Sequence, residues 1–189
     1  MARVEQAPRV SIPDYLAGEQ AGDVKHEYLG GTVHAMGGRS NRHNAIATNA
    51  VVALGSGLQG KPCRPFNSDT KVRIEYPDHT RFYYPDAMVV CEPNPPDDHF
   101  QERPVVVVEV LSEGTRRTDL GEKRDAYLTM PSLKVLIQVE PEGGRVTVHR
   151  RQSEGGFVVE VLDGPEDLIP LPEISAELAL RELFEDSGR

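Results

Sequence analysis

The chain has 189 residues, a formal net charge of −9, and 38% hydrophobic residues. This length is usual for one domain and supplies enough apolar side chains for a core. No apolar run reaches the roughly 18 residues that a transmembrane helix needs, and the first ten residues lack the apolar stretch of a signal peptide.

The negative charge is concentrated at the C-terminal end of the chain. Residues 152–189 hold ten acidic residues and two arginines, whereas residues 1–151 are almost neutral. Between Met36 and Asp86, seven basic residues face four acidic ones. Overall acidity argues weakly against a nucleic-acid-binding protein. The N-terminal part can still meet a polyanion, and an ordinary solvated surface is the alternative.

The two cysteines, Cys63 and Cys91, lie far apart in the sequence and lack the spacing of metal ligands. This pattern predicts free thiols in a reducing cytoplasm rather than a disulfide.

The N-terminal half alternates short helices and strands. Residues 1–10 are expected to form a loose arm, and Ser11 begins a short helix with a proline in its first turn. A Gly-Gly turn at Gly30 predicts a β-hairpin with Glu27 on its first strand. Apolar residues at every fourth position predict a helix over Asn41–Leu58. Strands are predicted at Lys61–Phe66, Asp69–Tyr76 and Phe82–Cys91, the last interrupted by Pro85.

The C-terminal half contains a strand–helix–strand unit. Four consecutive valines in Pro104–Leu111 predict a strand that is buried on both faces of a sheet. A helix over Asp119–Met130 and a strand over Leu133–Val139 follow. Further strands are predicted at Val146–Arg150 and Gly156–Leu162, and an amphipathic helix at Ser175–Phe184. The order of elements predicts a mixed α/β fold with a central mixed β-sheet flanked by helices, in one domain over 1–189 with an acidic tail at 165–189.

Glu109 is the one charged residue inside the valine-rich strand. A buried carboxylate is costly unless it is paired, hydrogen-bonded or bound to a metal. Asp86 begins the later part of the preceding strand, so the two carboxylates can converge, and Mg²⁺ commonly takes one or two carboxylates together with water and phosphate oxygens. The alternatives are a partly exposed glutamate at a strand end and an aspartate that caps a turn.

Lys123 is the candidate cation beside these carboxylates. Leu120, Lys123 and Tyr127 share one face of the predicted helix, and a lysine on an inward face is unusual. Its amine either extends to water or reaches the cleft. Leu111 occupies the position two residues after Glu109, where a lysine would lie on the same face of the strand.

These motifs together resemble the Uma2 family of restriction-endonuclease-like proteins, which belongs to the PD-(D/E)XK nuclease superfamily. The resemblance is carried by Tyr83-Tyr84-Pro85-Asp86, Val107–Ser112, Thr115, Asp119, Lys123 and Tyr127, together with Glu27 in His-Glu-Tyr-Leu-Gly-Gly, His43 and Ser68-Asp69-Thr-Lys71-Val72. It implies a restriction-endonuclease-like core and a cytoplasmic endonuclease that cleaves DNA with Mg²⁺ or Mn²⁺.

The resemblance also implies roles for individual residues. Asp86 and Glu109 are expected to bind the metal, with Glu27 as a further ligand, and Lys123 is expected to replace the superfamily's lysine. Three residues are expected to contact DNA and two to support the site: Arg39, Arg42 and His43 for the first, Asp69 and Tyr127 for the second.

Several alternatives stay open at this level. The chain can be a nucleic-acid-binding or regulatory module without turnover, or a hydrolase of a smaller phosphorylated substrate. Glu27 can face solvent, and His43 can be a surface or helix-capping residue. A homodimer through the tail helix and the hairpin is a further expectation.

Overall fold

The computed structural model describes residues 9–112 and 119–187. The α-helices in these ranges are α1 (Ile12–Ala21), α2 (Asn41–Gly57), α3 (Arg124–Leu128) and α4 (Leu180–Leu183). A π-helical turn, Asp119–Lys123, leads directly into α3, and a 3₁₀ turn spans Pro172–Ile174. None of these helices combines the length and apolarity needed to cross a bilayer.

The strands that the structure describes form three sheets. They are β1 (His26–Leu29), β2 (Thr32–Ala35), β3 (Arg64–Asn67), β4 (Lys71–Glu75), β5 (Thr80–Tyr83), β6 (Ala87–Val90), β7 (Phe100–Gln101), β8 (Pro104–Val110), β9 (Val135–Val139), β10 (Val146–Arg151), β11 (Phe157–Leu162), β12 (Leu168–Leu171) and β13 (Ala176–Ala179). The predicted hairpin is confirmed as β1 and β2, which pair with Glu27 opposite His34.

The larger sheet has six strands in the order β11-β10-β9-β8-β6-β3. Strands β8 and β9 run parallel and the other pairs run antiparallel, so the sheet is mixed. The valine-rich strand β8 lies inside it and packs on both faces. Val106, Val108 and Val110 pack in the core that contains α2, whereas Val107 packs in the core that contains α3. The predicted mixed fold and the buried strand are therefore confirmed.

The second sheet has the order β2-β1-β5-β4-β7, and one of the places where the chain passes from it to the first sheet is the segment between β5 and β6. The predicted strand Phe82–Cys91 is wrong as one element, because β5 belongs to the second sheet and β6 to the first. Tyr84, Pro85 and Asp86 pass between them. Proline has no N–H to donate, so the ladder ends there and the chain can change sheets.

The acidic tail differs from the prediction. The helix expected over Ser175–Phe184 is wrong, because β12 and β13 form an antiparallel pair and only Leu180–Leu183 is α-helical. Burial alternates along β12, where Ile169 and Leu171 are buried, and Leu178 of β13 joins them in the core around α2. Burial of this alternating face overrides the helical spacing of the leucines.

The prediction of two free thiols is also wrong, because Cys63 and Cys91 form a disulfide. Strands β3 and β6 pair antiparallel with Arg64 opposite Val90. Cys63 precedes Arg64 and Cys91 follows Val90, so the two cysteines face each other across the strand pair. Their separation of 28 residues in the sequence does not reveal this contact.

Candidate active site

The candidate site lies where the two larger sheets meet. Strand β1 of one sheet carries Glu27, strand β8 of the other carries Glu109, and the crossing segment ends at Asp86. Lys123 enters from the π-helical turn that precedes α3. Four segments that are distant in sequence thus place charged side chains in one region.

The Lys123 side chain is turned inward, with 1% of the residue exposed. Its Nζ lies 3.0 Å from Glu109 Oε1 and 3.0 Å from Glu27 Oε1. The same amine is 3.5 Å from the carbonyl oxygen of Tyr84. The sequence left two alternatives for the Lys123 amine, extension into water or contact with the carboxylates. The structure shows the second.

Glu109 is buried, with 2% of the residue exposed, and it takes a second contact from α3. The Tyr127 hydroxyl donates a hydrogen bond of 2.6 Å to Glu109 Oε1. Burial, and then the charge of Glu109, raise the pKa of Tyr127 well above its ordinary value. The hydroxyl consequently stays protonated at neutral pH and holds one carboxylate oxygen in a fixed direction.

Asp86 stands at the end of the crossing segment, next to the C-terminal end of β8. Its Oδ2 accepts the backbone N–H of Val110 at 2.7 Å. Ala87 pairs with Val108 in antiparallel register, so extending the register by one residue sets Asp86 opposite Glu109. Residues directly opposite in an antiparallel pair place their side chains on one face. The register thus brings Asp86 close to the strand position of Glu109, and the convergence of the two carboxylates on one metal ion stays a prediction.

His43 lies inside the site, with 2% of the residue exposed. It occupies the first turn of α2, where its N–H donates to the Ser40 Oγ cap. Its Nε2 is 3.3 Å from Asp86 Oδ2, but neither ring nitrogen has hydrogen-bond geometry to any described partner. The surface alternative for His43 is wrong, and its contact with DNA stays a prediction.

The remaining predicted residues lie around this centre. Arg39 Nη1 donates to Ser112 Oγ at 2.9 Å, just beyond the end of β8. Arg42 forms an exposed ion pair with Glu142 at 3.3 Å. Asp69 is exposed and pairs with Lys25 at 2.5 Å, and its supporting role at the site stays a prediction. Thr115 and the side chain of Asp119 lie outside the described residues.

Sequence reasoning missed a supporting network around Glu19. Its carboxylate accepts the Tyr84 hydroxyl at 2.5 Å and the His26 N–H at 3.2 Å. Burial alone would raise the pKa of Glu19, but these hydrogen bonds lower it. Glu19 thereby fixes the ring of Tyr84, whose carbonyl contacts Lys123. A glutamate on a short helix gives no sequence signal for this role, because Tyr84 lies 65 residues further along the chain.

The donor set at the centre fits a hard cation. Among the described residues, no group of three or more His, Cys, Asp or Glu side chains is arranged to hold a metal. Asp86 and Glu109 nevertheless offer two carboxylates, the number that Mg²⁺ commonly takes from a protein when water and substrate phosphates complete its shell. Glu27 is instead paired with Lys123, so its role as a metal ligand stays a prediction.

Comparison with known proteins gives consistent results over most of the chain. The Uma2 family, described as "Putative restriction endonuclease", matches residues 12–181. "Uncharacterized protein slr1290" of Synechocystis sp. is 32% identical over 154 residues, which cover 80% of each chain. "Uncharacterized protein sll1609" of the same organism is 25% identical over 158 residues, or 82% of this chain and 88% of the other.

A solved structure from Anabaena variabilis, described as "a putative nuclease belonging to DUF820", shares the fold. It superposes with a TM-score of 0.70 at 20% sequence identity, over 93% of this chain and 97% of that one. Since the family match spans far more than half of the sequence and the fold agrees with it, the chain belongs to the Uma2 family.

Proposed function

We propose that this protein is a Mg²⁺-dependent endonuclease that hydrolyses DNA phosphodiester bonds. The observation that carries the proposal is the buried Lys123 amine, held 3.0 Å from both Glu27 and Glu109. The family description and the fold shared with the Anabaena protein support a nuclease.

Asp86 and Glu109 are the residues that would hold the metal. When bound, Mg²⁺ would polarise a phosphoryl oxygen and help ionise an attacking water. The chain's own contribution is to fix the two carboxylates. Val110 N–H orients Asp86 at 2.7 Å, and the Tyr127 hydroxyl orients Glu109 at 2.6 Å. Such fixed donors need no reorganisation when charge develops.

Lys123 is the proposed catalytic lysine. A preorganised ammonium stabilises the negative charge that develops on phosphoryl oxygens, and the Lys123 amine already lies 3.0 Å from the proposed ligand Glu109. Leu111 stands where the superfamily's lysine is expected, and it is buried. We propose that the helical lysine takes that role, while Glu27 keeps its amine at the site.

The outer residues complete the proposal. Arg39 and Arg42 are proposed contacts to the DNA backbone, because arginines beside a cleft commonly bind phosphates. His43 is proposed to position Asp86, from which its Nε2 is 3.3 Å away. A cytoplasmic homodimer through the tail and the hairpin stays a prediction, and a monomeric mass in light scattering would contradict the dimer.

A plasmid-nicking assay tests the function directly. Purified protein should convert supercoiled DNA to nicked circles with Mg²⁺ or Mn²⁺ but not with EDTA. Asp86→Asn and Glu109→Gln should abolish the activity. Glu160→Gln removes one exposed carboxylate on β11 and is the matched control. Cleavage that persists in both site variants would rule out this site.

One observation favours a second candidate, a nucleic-acid-binding module without turnover. The Lys123 ammonium already neutralises charge on Glu27 and Glu109, which lessens the need for a metal. Calorimetric titration with Mn²⁺ distinguishes the two. A nuclease should bind the ion in a manner that Asp86→Asn and Glu109→Gln weaken, whereas a binding module should retain DNA without taking up Mn²⁺.

A further inference from the structure

A second lysine, Lys71, lies near Tyr84 of the candidate active site and has no ionic partner within the described part of the chain. It begins β4, and 6% of the residue is exposed. Among the described residues, no carboxylate lies within ion-pairing distance of Nζ and no acceptor bonds it. The residue is therefore largely buried, and its amine lies against the ring of Tyr84.

An unpaired, mostly buried ammonium is unfavourable in a folded protein. Burial lowers the pKa of Lys71, and Lys25 lowers it further, whereas Glu19 acts in the opposite direction. Glu19 is nearby but is already hydrogen-bonded to Tyr84 and His26. Glu19 therefore favours the charged form of Lys71 from nearby, but no carboxylate among the described residues forms an ion pair with the amine.

Tyr84 connects this lysine to the candidate active site. Lys71 Nζ lies 5.0 Å from the centroid of the Tyr84 ring, and Lys25 Nζ lies 5.5 Å from it. The carbonyl oxygen of the same tyrosine is 3.5 Å from Lys123 Nζ. Asp86 follows two residues later in the chain. The backbone carbonyl of Tyr84 thus contacts Lys123, the proposed catalytic lysine, while Lys25 and Lys71 lie over its ring.

The two ring-side lysines differ in how they are held. Lys25 donates to Asp69 at 2.5 Å and to the Ser68 carbonyl at 2.9 Å, so its charge is compensated. Lys71 has no such contact.

We propose that Lys71, with Lys25 beside it, binds a backbone phosphate of the DNA next to the phosphodiester held at Asp86 and Glu109. The inference rests on the proposed endonuclease function. It follows from the spacing of charge along nucleic acid, where each strand carries one phosphate per roughly 3.4 Å of helix axis. A substrate held at the candidate active site must place flanking phosphates at its sides, and among the residues that the structure describes Lys71 is a cation there without an ion pair.

Binding of a short fluorescein-labelled DNA duplex tests this directly. Fluorescence anisotropy is measured at several salt concentrations, with Ca²⁺ replacing Mg²⁺ so that turnover is suppressed. Lys71→Met should lower the slope of log K against log salt by about 0.9, the value for one lost phosphate contact on duplex DNA. Lys134→Met, which removes an exposed charge at the opposite end of the sheet, should leave the slope unchanged.

Duplexes with a neutral methylphosphonate at one position locate the phosphate. In the wild type, a methylphosphonate at one flanking position should weaken DNA binding by the same factor as Lys71→Met does. Binding by the Lys71→Met variant should not change when that same position is made neutral. A thermal melt checks folding, and Lys71→Gln is the substitute if Lys71→Met does not fold.

The outcomes separate the two proposals. Wild-type protein that binds and cleaves, with an unchanged salt slope in Lys71→Met, overturns the phosphate site alone. Protein that binds DNA but never cleaves it overturns the endonuclease, while the slope still decides the role of Lys71. Absence of any DNA binding overturns both.

Discussion

The buried amine of Lys123 allows a sharp test of the site, because it bridges two carboxylates. Lys123→Met keeps an unbranched side chain of similar length and removes only the charge. Glu27 and Glu109 then lose the ammonium that lies 3.0 Å from each of them. Glu109 cannot turn to water, since 2% of the residue is exposed and Tyr127 holds one of its oxygens.

The expected effect is large. Removing one partner of a buried ion pair typically costs about 3–5 kcal/mol, because it leaves an uncompensated buried charge. The melting temperature of a domain of 150–250 residues falls by about 2–4 °C per kcal/mol. We therefore expect a decrease of roughly 6–20 °C in Lys123→Met, without addition of a divalent cation.

Differential scanning calorimetry of four proteins measures this decrease and its cause. The set is the wild type, Lys123→Met, Glu109→Gln and the double variant. The double variant should be more stable than Lys123→Met, because it removes the uncompensated carboxylate along with the ammonium, and the cycle yields the coupling. Lys134→Met is the control for loss of one exposed positive charge. A decrease below about 2 °C in Lys123→Met would refute a bridging ammonium, since it corresponds to no more than ~1 kcal/mol.

The remaining predictions concern three further contacts. Tyr127→Phe should lower the free energy of unfolding by about 1.5–3 kcal/mol in urea titrations, since it removes a hydrogen bond to a charged group. The pKa of Lys71 is lowered from 10.5 by burial, so wild-type stability should rise as pH rises from that folded-state pKa towards 10.5. Lys71→Met should lack this rise. Any excess of its free energy of unfolding over that of the wild type at neutral pH should therefore shrink as the pH increases. If the two free energies change with pH in parallel, the assignment is contradicted. Thiol titration should find no free cysteine before reduction, and Cys63→Ser/Cys91→Ser should lose about 3–4 kcal/mol for a sequence separation of 28.

Local sequence signals predicted the centre of the molecule. The valines of Pro104–Val110 specify a strand that packs on both faces, and they make Glu109 conspicuous as the one residue there that needs a partner. The helical spacing of Lys123 and Tyr127 placed both on an inward face, and both now contact Glu109. These predictions succeeded because burial and periodicity are properties of short segments.

Features that depend on pairing between distant segments could not be predicted in the same way. The crossing at Pro85 was visible as an interruption, but only the sheet order shows that β5 and β6 belong to different sheets. The disulfide follows from the register of β3 against β6, and the Glu19 network follows from the packing of α1 on Tyr84. In the tail, an alternating strand and a short helix share leucines whose spacing suits either structure.

The position of Lys123 follows from the topology of the sheet. Parallel strands such as β8 and β9 require a crossover connection, and its helix packs back on one face of the sheet. That helix therefore begins near the C-terminal end of β8, on the face to which Glu109 points. Its first turn is a place from which a lysine can reach the carboxylate without occupying the strand. An apolar, buried Leu111 on the strand is thus compatible with a lysine amine beside Glu109, because Lys123 supplies that amine from the helix. The chemistry depends on where Nζ lies and not on which element carries it.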